Sequence, residues 1–131
     1  MDRAVRCGVD IEEIGRFNKF IHLPDKVEPF IYRVFTKQEI ENNLKFHSLL
    51  PFALGFSAKE AMFKALGISW TNSSISWQEI ELLMPNSADI NQNSIQLSGF
   101  AKKYSSEHKI HISQTNMEYD DNCVIFRIIC Q

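Results

Sequence analysis

Apolar and polar positions alternate at the start of the chain, with Val5, Cys7, Val9 and Ile11 set against Arg6, Gly8 and Asp10. Period two predicts a strand over 4–11 with one buried apolar face. Gly8 inside it predicts a close backbone approach or a bulge. Phe17, Phe20 and Ile21 then recur at helical spacing until Pro24 ends the segment. Thr36-Lys37-Gln38-Glu39 has the form of a capping box and predicts a helix carrying Ile40, Leu44 and His47. A second box, Ser57-Ala58-Lys59-Glu60, predicts another helix, with Ala61, Met62, Ala65 and Leu66 as its apolar face and Gly67 as its stop.

The second half reads as β-rich. Ile75 and Trp77 share one phase and Ile80, Leu82 and Met84 the other, so a bulge or a break between two short strands falls near Gln78-Glu79. Residues 85–93 are turn-like, and Ile95 and Leu97 begin a short strand. Ser98 or Gly99 opens a helix over Phe100–Glu107. Ile110 and Ile112 alternate, Gln114–Asn122 reads as a polar hairpin connection, and Cys123–Cys130 is an apolar strand interrupted by Arg127. This order predicts an α+β fold, an antiparallel sheet packed against helices in one domain over 1–131.

Composition narrows the function classes. The 131 residues carry a formal net charge of −2, with 44% apolar and 23% charged residues. That balance leaves no basic footprint for nucleic acid. There is no apolar run of membrane-spanning length and no apolar leader in MDRAVRCGVD. Cys7, Cys123 and Cys130 lack metal-ligand spacing and fit a reducing, cytoplasmic compartment, Cys7 and Cys123 as packed small hydrophobes and Cys130 as partly exposed.

Two segments hold the candidate chemistry. Asp10 and Glu12 project from one side of the first strand, about 7 Å apart, a spacing at which two carboxylates share a hard cation or simply face water. Glu60 and Lys64 are i,i+4 neighbours, and local rules explain them as a cap and a surface pair.

Taken together, Gly8-Val9-Asp10 and Phe56-Ser57-Ala58-Lys59-Glu60-Ala61-Met62-Phe63-Lys64-Ala65 resemble the signature of the 4′-phosphopantetheinyl transferases, in the short holo-acyl-carrier-protein synthase form. Arg33–Glu39, Trp77–Glu81 and Leu97–Ala101 are similar to further family motifs in the same order. The resemblance implies transfer of phosphopantetheine from coenzyme A to a serine of an acyl carrier protein, with Mg²⁺ or Mn²⁺ and release of 3′,5′-ADP. It implies Asp10 and Glu60 as metal ligands with Glu12 as a third, and Glu60 and Lys64 as catalytic residues. Lys59, Lys64, Ser113 and Asn116 fall where coenzyme A is held, and Arg16 and Lys19 where an acidic carrier docks. It also implies a homotrimer with sites between subunits, in which Phe30, Tyr32 and Phe52 are either core or interface.

The chain departs from the pattern where Asn116 replaces a histidine, where Gly55 replaces an arginine, and where Pro85-Asn86-Ser87 replaces a Gly-x-Pro turn. Those departures frame the alternative, a non-catalytic relative that binds coenzyme A or a carrier protein. His108 and His111 are out of register with the missing histidine and read as surface groups.

Overall fold

The computed structural model describes residues 4–131. Its first strand, β1 (Arg6–Glu13), pairs antiparallel with the last, β7 (Cys123–Cys130), which also pairs with β6 (Ile112–Tyr119). The strand order is therefore β1-β7-β6. Helix α3 (Leu50–Leu66) lies across the inner face of this sheet. Between β1 and α3 come a 3₁₀ turn (Ile14–Lys19), a small hairpin of β2 (Ile21–His22) and β3 (Lys26–Val27), and two helices, α1 (Pro29–Val34) and α2 (Lys37–Leu44). After α3 a 3₁₀ turn (Trp77–Glu79) leads into the hairpin of β4 (Ile80–Leu83) and β5 (Ser94–Leu97), and α4 (Gly99–Glu107) returns the chain to β6. The architecture is α+β, with antiparallel sheets and helices around one core.

Helix α3 is the centre of that core. Only Leu50, Glu60 and Lys64 along it escape burial. A helix covered on nearly every side packs by shape rather than by an amphipathic stripe. Its small residues allow β1 to come very close: a Cβ added at Gly8 would stand 1.8 Å from the carbonyl oxygen of Ala61. No residue larger than glycine fits there without separating the two elements.

This contact turns β1 over relative to the sequence expectation. Gly8, Asp10 and Glu12 face α3, whereas Val5, Cys7, Val9 and Ile11 face outward. Cys7 is accordingly exposed and Cys130 buried, the reverse of the expected assignment. Helix α3 also begins seven residues before the expected capping box, so Ser57 lies mid-helix and fully buried. The box at Thr36–Glu39 forms as expected, Thr36 Oγ1 accepting from Glu39 N and Glu39 Oε1 accepting from Thr36 N. His47 lies beyond that helix with φ of 52°. The segment containing Phe17 is a 3₁₀ turn rather than an α-helix. The phase change near Gln78 is a 3₁₀ turn held by a Ser76–Glu79 capping box.

The polar stretch after Ile112 is strand rather than connection. β6 runs to Tyr119, and Asp120 alone caps the turn, accepting from Asn122 N and Cys123 N at 2.8 Å. Its polar residues Gln114, Asn116 and Glu118 stand on the outer face opposite Ile129, Arg127 and Ile125.

An aromatic stack crosses from core to surface. Phe17 meets Phe56 edge-on, Phe56 stacks on Trp77 at 5.1 Å, and Trp77 meets the exposed Trp70 at 5.7 Å.

Candidate active site

Asp10 and Glu60 are brought together by the β1–α3 contact. Ser57 Oγ donates to the main-chain oxygen of Asp10 at 2.9 Å, and Lys64 Nζ donates to that of Val9 at 2.9 Å. One helix therefore grips β1 on both sides of Asp10, one turn before and one turn after Glu60. Lys64 Nζ also lies 3.2 Å from Asp10 Oδ1. In the sequence Ser57 has the pattern of a helix cap. Its tethering role is visible only once β1 is packed against α3.

The site is strongly acidic. Asp10 and Glu12 are buried, and Glu60 is half-buried. Burial first, and then the neighbouring Asp10 carboxylate, push Glu12 up to about 7 against the opposing charge of Arg16. Burial and the Asp10 charge also raise Glu60, and Lys64 and Arg16 offset part of this. Arg16 Nη1 donates to Glu12 Oε2 at 2.6 Å, and its guanidinium lies 5.5 Å above the Phe56 ring. Asp10 Oδ2 is buried and no hydrogen-bond donor faces it.

This donor set suits a hard divalent cation. A buried carboxylate oxygen without a donor loses hydration with no protein partner in exchange. Among the described residues no three His, Cys, Asp or Glu side chains already form a metal cluster. One or two carboxylates completed by water and substrate phosphate oxygens are the usual Mg²⁺ arrangement.

Three expected site residues stand elsewhere. Lys59 is fully buried beside Glu60, where Nζ donates to Glu39 Oε1 at 2.9 Å, to Trp77 O at 3.1 Å and to Ile80 O. It ties α3 to α2 and β4 and is not available to a substrate phosphate. Burial pushes Lys59 down and Glu39 up, and their mutual attraction opposes both shifts. Glu39 was legible only as a cap; it also accepts from Leu82 N.

Asn116 lies on the outer sheet face, its Oδ1 accepting from Arg127 Nη1 at 2.8 Å. Ser113, exposed at the β6 bulge, donates to Ile129 O. Asn116 thus faces away from the side to which Asp10 points, and these two residues do not join Asp10, Glu60 and Lys64 within one chain. Gly55 is buried against the Phe35 ring rather than turned to solvent. Arg16 is half-exposed, and Lys19 lies 5.0 Å over the Phe20 ring.

Residues 6–122 match the model of the 4′-phosphopantetheinyl transferase superfamily. The chain belongs to that superfamily. A holo-[acyl-carrier-protein] synthase of Geotalea daltonii is 31% identical over 125 residues, covering 95% of both chains. Among solved members, an ACPS–CoA complex from Chronobacterium ammoniagenes superposes with a TM-score of 0.75 at 21% identity, covering 98% of each chain. The Helicobacter pylori holo-[acyl-carrier-protein] synthase in complex with coenzyme A gives 0.72 at 24% identity, covering 95% of this chain and 99% of that one. The transferase fold therefore extends over the whole described chain.

Proposed function

We propose that this transferase moves 4′-phosphopantetheine from coenzyme A to a serine of an acyl carrier protein, with Mg²⁺ bound, and releases 3′,5′-ADP. The observation that carries this is α3, whose only polar side chains outside the core are Glu60 and Lys64, both beside Asp10. Asp10 and Glu60 are the metal ligands, with Glu12 as a third. Mg²⁺, or Mn²⁺, offsets the charge of the substrate diphosphate.

The chain's own groups do the remaining work. The serine oxygen bonds to the phosphorus nearer pantetheine, the bond from that phosphorus to the bridging oxygen breaks, and the nucleotide leaves as 3′,5′-ADP. Glu60 takes the serine proton. Lys64 holds a phosphate oxygen and offsets charge on the leaving group. Arg16 and Lys19 meet the acidic carrier.

The working unit is a homotrimer. Val5, Val9 and Ile11 expose 64%, 44% and 61% of their surface. Half-buried Ile125 and Ile129 adjoin them on β7. An exposed apolar strip of this kind, along the β1 side of the sheet, fits a second copy. Ser113 and Asn116 then serve coenzyme A in a neighbouring subunit's site.

The test is intact-mass analysis of a panel of apo carrier proteins incubated with this protein, coenzyme A and Mg²⁺. A phosphopantetheine mass gain that EDTA abolishes, matched by 3′,5′-ADP, is expected. Glu60→Gln should remove the gain without lowering the melting temperature, since Glu60 closes no cap and burial beside Asp10 already disfavours its charge. Tight coenzyme A binding with no gain on any carrier would instead indicate a non-catalytic binder.

A further inference from the structure

The Glu12–Arg16 contact lies between the carboxylate site and the surface assigned to the carrier. Glu12 is 6% exposed and Arg16 50%. The guanidinium is engaged on two sides, by the Glu12 carboxylate at 2.6 Å and by the Phe56 ring beneath it. Its charge also acts on Glu60. Arg16 is therefore a counter-charge of the acidic site, as Lys64 is at Asp10. A guanidinium spent in this way has less charge and fewer donors to offer an acidic partner.

We propose that Glu12 and Arg16 form a latch that couples cation binding to carrier docking. Divalent charge at Asp10 and Glu60 attracts Glu12 and repels the guanidinium, and partial burial strengthens both forces. Glu12 turns to the cation, and Arg16 is released toward the carrier. Linkage makes the effect reciprocal: a carrier that draws Arg16 outward tightens the cation by the same factor. This inference rests on the function proposed above and adds an order of assembly, cation before carrier.

The experiment is calorimetric titration with an apo carrier whose acceptor serine is replaced by alanine, in the absence of coenzyme A, so that no turnover occurs. Wild-type affinity should tighten when Mg²⁺ is added, within the roughly 5–150-fold span of ordinary couplings. Glu12→Gln should bind the carrier at the tight level with or without Mg²⁺. Arg16→Gln should bind it weakly in both conditions, yet bind Mg²⁺ alone more tightly than wild type, because a competing positive charge is gone. Thermal melts of both variants check folding. Carrier affinity that ignores Mg²⁺ in the wild type, or still follows it in Glu12→Gln, overturns the latch and leaves the proposed reaction intact. Binding no carrier in either condition overturns both.

Discussion

Glu12 holds its proton more tightly in the folded chain than in the unfolded one. Burial and Asp10 push it from an ordinary 4.5 up to about 7, so the folded state binds the extra proton in that window. Stability therefore falls as pH rises from 4.5 to about 7. Glu60 is displaced in the same direction. Urea melts of the metal-free protein should lose on the order of 1–3 kcal/mol across this range. Mg²⁺ should restore most of the loss at the alkaline end, and stability that stays flat or rises with pH would contradict the reading. Lys59 poses the opposite test, since breaking a buried charge pair costs more than the intact pair contributes. Lys59→Met should cost about 3–5 kcal/mol by leaving Glu39 unpaired. The double variant with Glu39→Met should recover part of that in denaturant melts, whereas a lysine serving only coenzyme A would show neither effect.

The β1–α3 contact governs the site at the level of elements. Gly8→Ala must push β1 off the Ala61 carbonyl and carry Asp10 with it. About 1–3 kcal/mol of overpacking cost is expected, together with a fall in transfer rate at temperatures where the variant is still folded. A variant equal to wild type in both melts and mass assays would show that the separation of Asp10 and Glu60 is not set there. Much of this was legible in the chain: the period-two strand, the close approach at Gly8, the Thr36 box, and the spacing of Asp10, Glu60 and Lys64. The inward side of β1 was not, because alternation gives two faces and hydrophobicity chose the wrong one. Val9 and Ile11 face outward, while the carboxylates lie against a helix narrow enough to admit them. Ser57 and Lys59 misled for a related reason. A local capping pattern and a signature lysine are both readable, but α3 starts at Leu50 and buries the two of them. Where a residue lies in the molecule overrode what its neighbours in sequence suggested.

The outer sheet face has its consequence for the whole molecule. Ile11→Glu puts charge on that face along the β1 edge without touching the core, since Ile11 is 61% exposed. Sedimentation should show the proposed trimer dissociating into folded monomers, with transfer lost because Ser113 and Asn116 would no longer reach a neighbour. A monomeric wild type, or a fully active monomeric variant, would remove the assembly from the mechanism.

The aromatic stack gives the protein an optical property of its own. Its sequence holds two tryptophans. They are Trp70 and Trp77, and their rings stand 5.7 Å apart. All indole emission therefore originates from one spot, with one ring half in water and the other packed on Phe56 beneath the Arg16 guanidinium. Intrinsic fluorescence reads that corner of the molecule alone, through an indole that shares the Phe56 ring with the Arg16 guanidinium.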